Sequence, residues 1–371
     1  MRSSICVLVL AGCIGASPAV APPSGERVTV FVPGYQGSFL EKQSDHELVW
    51  ITPGDALSNG DVSLALPFEG EGKVRHYGAL EPRGPVTRMI VLPALFDVQL
   101  YQPWLEFGAQ RLPSFMPFGY DWRQDIRDSG KALCDRLAAL PPKMRIDLVA
   151  HSMGGLVTLS CLRHPPPGVA ERIDHLVFAG TPFQGAPGIF EDLQRGTTIA
   201  LNKSLLDQQA LLTFASAWQL LPKEAGFFVD PSGAPVQVAA FDDDAWVKHG
   251  WGVFSNADAY GNPAYRAQLK RMVEAHHALW DELAQPLDAS KWKVMVVAGV
   301  GREAKQKIRV QADGAFDWEH PVRAEGDGSV LVTSSHPPEW LRGLRLETNE
   351  GHVTLLNDQA VEEQIALFLE R

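Results

Sequence analysis

The sequence predicts an α/β fold: a mostly parallel central sheet with helices on both faces and two long segments inserted between strands. Three observations predict it. Short β-branched runs, each ending at Gly, Pro or Ser, alternate with longer segments of helical period. One run, Val294-Met295-Val296-Val297-Ala298, is continuously apolar, as a parallel strand buried on both faces requires. Another, at 146–150, passes through a turn of small residues directly into an apolar helical segment.

The length of 371 residues fits two domains or one large domain with insertions. A chain of that size makes a core without a disulfide or metal staple. The formal net charge of −11, with no cluster of Lys or Arg, argues against a nucleic-acid partner, because phosphate binding needs clustered cations. The four cysteines, Cys6, Cys13, Cys134 and Cys161, match no zinc-ligand spacing, so neither a metal nor another cofactor is expected.

Residues 1–24 read as an export segment and linker. Arg2 precedes an apolar stretch from Ile5 to Leu10, far short of the roughly 20 residues of a spanning helix. Leu10-Ala11-Gly12-Cys13 resembles a bacterial lipobox, which implies a chain cut before Cys13 and lipid-anchored there, in the cell envelope. Secretion after Ala21 and an uncleaved tail are the alternatives. Cys134 and Cys161 fall in apolar helical segments and read as small buried hydrophobes rather than as a disulfide.

From residue 25 to 371 the chain reads as one catalytic domain. Strands are expected at 27–32, 88–92, 146–150, 175–179 and 293–300. A terminal helix follows the start signal Asn357-Asp358, with Val361, Ile365 and Phe368 or Leu369 on one face. Two stretches break the alternation, about 39–84 and 183–287, and read as a lid-like segment and a cap. Their aromatics, among them Trp50, Trp218, Trp246 and Trp251, are expected near the surface. Trp218, Leu220, Leu221, Phe227 and Phe228 suit an acyl chain or a helical core equally.

The most informative segment runs from Ile146 through Ala150-His151-Ser152-Met153-Gly154 to Leu162, where His164-Pro165-Pro166-Pro167 stops the helix. A Ser at a strand-to-helix apex between small residues is the nucleophile elbow of the α/β-hydrolase fold. The apex needs small neighbours because its backbone is strained, and the helix that follows offers amides to a developing oxyanion. Ala150 stands where the common motif has Gly. His151 adjoins the Ser, but adjacent side chains at a sharp apex diverge, so it reads as packing or cleft lining. A second strand, ending in Val32-Pro33-Gly34-Tyr35-Gln36-Gly37, runs into a Gly-rich turn; the amides of Tyr35 and Met153 are the expected oxyanion donors.

The fold's chain order of nucleophile, acid and His picks Asp327, between two glycines in Gly326-Asp327-Gly328, over Asp313 and Asp317. It picks His352, just before the terminal helix, over His336 and His320, which adjoin prolines in loops.

Together these pieces resemble the lecithin:cholesterol acyltransferase family. The resemblance is carried by Val32-Pro33-Gly34-Tyr35-Gln36-Gly37-Ser38, Phe118-Gly119-Tyr120-Asp121-Trp122-Arg123, Ala150-His151-Ser152-Met153-Gly154-Gly155, Gly180-Thr181-Pro182-Phe183-Gln184-Gly185 and the Gly326-Asp327-Gly328-Ser329-Val330 turn with the late His352. It implies Ser152, Asp327 and His352 as a triad, Tyr35 and Met153 as the oxyanion hole, a mobile lid, and an acyl-lipid substrate met at a membrane surface. Asp121 and Arg123 look like a supporting ion pair. The family's early lid disulfide has no counterpart, since no Cys lies between Val28 and Arg127. The expected reaction is acyl transfer or hydrolysis of an ester lipid through an acyl-serine. An esterase or thioesterase for soluble esters is the alternative, and a surface lipoprotein that binds a partner or lipid is the non-enzyme one.

Overall fold

The computed structural model describes residues 25–52, 54, 62–92, 96–199 and 202–371. Residues 1–24, on which the expected export segment and Cys13 fall, lie outside them.

Six parallel strands form the central sheet. From one edge they are Leu344–Thr348, Lys293–Gly299, Ile173–Ala179, Arg145–His151, Arg27–Val32 and Met116–Pro117. Their side chains alternate between two apolar layers. Val28, Val30, Val32, Ile146, Leu148 and Leu176 face one layer, and Phe31, Val149, Val177, Met295 and Val297 face the other. The second layer is closed by Trp104 of the helix Gln102–Arg111 and by the terminal helix Gln359–Leu369. Asp358 caps that last helix by accepting the Ala360 amide, and Val361, Ile365, Phe368 and Leu369 are its buried face. One charge sits inside the strands. The carboxylate of Asp147 is fully buried and paired with Arg27 at 2.9 Å and His175 at 2.8 Å, as a charge removed from water must be.

Three expectations need correcting. The run at 88–92 is a strand, Arg88–Leu92, but it pairs antiparallel with Phe96–Gln99 outside the central sheet. A β-branched run specifies an extended backbone, not the sheet it joins. Trp50, Trp218 and Trp246 are buried rather than near the surface, and Trp251 is half-buried. Leu220, Leu221, Phe227 and Phe228 are buried with them, so the segment at 183–287 is largely an extension of the core. The described part of 39–84 contributes a three-stranded antiparallel sheet of Ser38–Lys42, Leu48–Trp50 and Leu80–Pro85.

The third correction concerns Cys134 and Cys161, which form a disulfide with Cα atoms 5.4 Å apart. It ties the helix Ile126–Ala138 to the helix Met153–Arg163. The helices approach closely at Gly130, where a Cβ would lie 2.9 Å from the Cys161 amide nitrogen. Helical period puts each Cys on a buried face but does not say that the two faces oppose each other. A bridge across this separation of 27 residues restrains the unfolded chain by about 3 kcal/mol in the loop-entropy account. Urea titration of the Cys134→Ala/Cys161→Ala variant is therefore expected to give an unfolding free energy lower by about 3 kcal/mol than oxidised wild type. Added reductant should lower wild type toward the variant and leave the variant unchanged.

Candidate active site

The strand Arg145–His151 ends in the middle of the sheet, and Ser152 turns the chain directly into the helix Met153–Arg163. Its backbone has φ 54° and ψ −127°, a conformation that side chains disfavour. The turn persists because the neighbours leave it room and hold it. The Ser152 amide donates to the Ala179 carbonyl at 2.8 Å. Gly154 lies against the carbonyls of Val32 and Pro33, and Gly155 against the Thr181 side chain, both too close for any Cβ. On the opposite side a Cβ at Gly34 would stand 2.8 Å from that of Ser152.

His352 follows an edge strand of the central sheet, and Asp327 follows a strand of a separate three-stranded sheet. His352 opens a short 3-10 helix, His352–Asn357, after the edge strand Leu344–Thr348. Asp327 follows the long strand Phe316–Gly326 and makes a tight turn, its amide donating to the Val330 carbonyl at 3.1 Å. Two glycines let the pair reach Ser152. Gly299 faces the Cβ of Asp327 with no space for its own, and Gly180, at φ +59°, would place a Cβ 3.2 Å from His352 Nδ1.

The resulting chain of contacts is continuous. His352 Nε2 is 2.8 Å from Ser152 Oγ, and His352 Nδ1 is 2.7 Å from Asp327 Oδ2. The other carboxylate oxygen of Asp327 accepts the amides of Ser329 at 2.9 Å and Val330 at 2.7 Å. Burial alone would raise the Asp327 pKa. The His352 imidazole and those two amides outweigh it and hold the carboxyl below its ordinary value. Asp327 is thus an anion whose remaining lone pairs are occupied, which orients the imidazole with Nδ1–H toward it.

Met153 and Tyr35 lie in the two segments that touch Ser152. Met153 is the first residue of its helix, so its amide has no partner within the helix. Tyr35 follows Gly34 and borders the same cavity as Ser152. That cavity, about 320 Å³ in volume, has Ser152 and His352 in its wall. Leu100, Ile189, Leu220 and Val353 give it apolar surface, and Val353 is exposed at its mouth. Asp192, Lys305 and Arg323 are its charged groups. Burial pushes the Asp192 carboxyl up to about 6, against the pull of Lys305 and with the help of Glu191.

The other sequence candidates stand elsewhere. His320 pairs with Asp317 on the surface, and His336 is exposed, its ring at the Val332 carbonyl. Asp121 and Arg123 do form an ion pair, at 2.8 Å, and Arg123 also donates to the Leu64 carbonyl at 3.0 Å, tying the segment at 39–84 to the sheet. Among the described residues, the group of His and carboxylates close enough to hold a metal is Glu41, His46 and Glu81. It lies on the small antiparallel sheet and takes no part in the cavity wall. Sequence reasoning missed Asp192, Lys305 and Arg323 because nothing local marks a charged residue that tertiary packing brings to a cavity. It also missed Tyr101, whose phenol reaches His151 from a distant segment.

Residues 98–239 match the model of the lecithin:cholesterol acyltransferase family. An uncharacterised protein of Saccharomyces cerevisiae, YJR098C, is 27% identical over 226 residues, 60% of this chain and 33% of the yeast protein. The chain thus matches only a third of that relative's length. A chain of the Tle4-Tli4 complex superposes with a TM-score of 0.58 at 15% identity, covering 92% of this chain and 98% of that one, and shows a shared fold. The mature lipase BlEst2 of Bacillus licheniformis covers 96% of this chain and 95% of its own, with a TM-score of 0.40 at 12% identity. Over residues 98–239 the chain is thus similar to the lecithin:cholesterol acyltransferase family, and its mostly parallel sheet, with a strand-to-helix turn at Ser152 in the middle, has the α/β-hydrolase fold.

Proposed function

We propose that the protein transfers or hydrolyses the acyl group of an ester lipid, a phospholipid or acylglycerol, through an acyl-enzyme on Ser152. The observation that carries this reading is the contact chain from Ser152 Oγ through His352 to Asp327 in a cavity wall. His352 Nε2 takes the Ser152 proton as Oγ attacks the ester carbonyl. The carbonyl oxygen becomes an anion held by the amides of Tyr35 and Met153. Asp327 stabilises the imidazolium, which then gives its proton to the departing alcohol. Water or a second alcohol, deprotonated by His352, attacks the acyl-serine and frees the enzyme. The apolar wall of Leu100, Ile189, Leu220 and Val353 suits an acyl chain, and Asp192, Lys305 and Arg323 suit a polar head.

The same reading makes this an exported protein, with a lipid anchor at Cys13 that holds it at a membrane surface. A disulfide between Cys134 and Cys161 supports an oxidising compartment.

Wild type is expected to take one fluorophosphonate label and Ser152→Ala none, as read by intact-protein mass; an unlabelled wild type would favour a binding protein. Asp327→Asn should lower kcat by roughly 10³- to 10⁴-fold, the scale seen when a triad acid is neutralised and the imidazole adopts the wrong tautomer. Gly180→Ala forces a side chain into left-handed backbone beside His352. It is expected to lower kcat by roughly tenfold, a barrier change of about 1.4 kcal/mol, with the folded far-UV spectrum retained. Incubation with mixed labelled phospholipids and acylglycerols, with and without an alcohol acceptor, identifies the donor and acceptor by product mass. Preference for short over long nitrophenyl esters would turn the assignment to a soluble-ester esterase.

A further inference from the structure

The mechanism gives no task to the buried imidazole that adjoins the nucleophile. His151 precedes Ser152, and its ring lies 4.9 Å from that of His352, centroid to centroid. Its Nδ1 is 2.7 Å from the Tyr101 hydroxyl, and its Nε2 is 2.9 Å from the carbonyl oxygen of His352. The Tyr101 oxygen in turn accepts the Gly34 amide at 3.0 Å.

The directions of these bonds follow from which atoms can give a proton. A carbonyl only accepts, so Nε2 of His151 carries the hydrogen. Nδ1 then presents a lone pair to the Tyr101 O–H, and the phenol oxygen is free to take the Gly34 N–H. A second proton on the ring would leave the Tyr101 hydrogen without an acceptor among the described residues. Burial first, and the neighbouring His352 second, push His151 down to about 3, which favours the neutral ring that these bonds require.

We propose that Tyr101 and neutral His151 are positioning residues that clamp the oxyanion loop to the segment carrying His352. At one end the clamp commits the Gly34 amide, so that the next amide, that of Tyr35, serves the oxyanion. At the other end it fixes the backbone from which the His352 imidazole hangs. A second tie runs between the same segments. Asn357, the last residue of the short helix begun by His352, donates to the carbonyls of Gln99 at 3.1 Å and Leu100 at 2.8 Å, beside Tyr101. The amides of Leu100, Tyr101 and Gln102 all lie within about 3.2 Å of the Thr87 carbonyl, which anchors the Tyr101 segment. This inference rests on the reading of Ser152 and His352 given above.

The test compares Tyr101→Phe, His151→Leu and His151→Gln with wild type on a nitrophenyl ester, with Tm and the rate of fluorophosphonate labelling measured in parallel. His151→Leu fills the space and removes both bonds; kcat should fall roughly 10- to 100-fold, as loss of one or two buried hydrogen bonds would give, with KM within about threefold. The labelling rate should fall with kcat, because the phosphonyl oxygen occupies the oxyanion position. His151→Gln keeps an N–H for the His352 carbonyl and should recover most of the loss, and Tyr101→Phe should lose roughly tenfold in kcat. The clamp is overturned if His151→Leu retains kcat within twofold, or if Gln is no better than Leu at equal Tm. A wild type that takes no label removes the Ser152 reading itself, and this inference with it.

Discussion

The site depends on one constraint: Ser152 must hold a backbone conformation that a side chain disfavours, φ 54° and ψ −127°, at the end of a buried strand. Such a conformation persists only where the surroundings over-determine it. Here the strand Arg145–His151 is flanked by parallel neighbours on both sides, so it cannot shift along its axis without breaking two registers. The helix that follows is pressed against the first strand at Gly154 and against Thr181 at Gly155. Enlarging any of these contacts would push on the turn itself. The glycines around Ser152 are therefore a packing requirement of the apex, and the exposed face of the hydroxyl is what remains after every other direction is filled.

How much of this was legible depended on how local each feature is. The strands at Arg27–Val32, Arg145–His151, Ile173–Ala179 and Lys293–Gly299 were legible because buried parallel strands are apolar throughout. The turn at Ser152 was legible for the same reason, since its small residues, strand and helix are contiguous. Asp327 and His352 were singled out by chain order and by the glycines at 326 and 328. What brings them to Ser152 is tertiary packing that no local pattern shows, including the room left at Gly180 and Gly299. The charged groups of the cavity were not legible. Lys305 lies on the strand Arg302–Val310, whose alternating charges hide a half-buried hairpin, and Asp192 sits in a short helix of mixed polarity. The disulfide was misread because helical period says which side of a helix is inward, not which residue of another helix it meets.

The burial of polar groups follows two different logics in this molecule. Asp147, Arg27 and His175, joined through Asp174 to Arg145, form an ion-pair network at the opposite end of the central strands from Ser152, and none of them borders the cavity. That set positions strands and does nothing chemical. Around Ser152 the groups are also hydrogen-bonded, but in series, from Gly34 to Tyr101 to His151 to His352 and from Ser152 to His352 to Asp327. A series transmits orientation, so each member fixes the next. It leaves Ser152 Oγ at one end, bonded to a base and open to the cavity.

The same element that carries the acid also walls the cavity. The strands Arg302–Val310 and Phe316–Gly326 pair over most of their length, and Asp327 is the next residue after the pair. Lys305 and Arg323 are directly opposite each other in that pairing, both border the cavity, and Lys305 is held by Glu191 of the helix Ile189–Arg195. The helix contributes Ile189 and Asp192 to the wall of the same space, beside Lys305. Two hydrogen bonds to Asp327, from the amides of Ser329 and Val330, fix the carboxylate within its own turn rather than to the strand. The turn after the hairpin thus does two things at once: Gly328, Ser329 and Val330 line the cavity, while the amides of Ser329 and Val330 hold the Asp327 carboxylate toward His352.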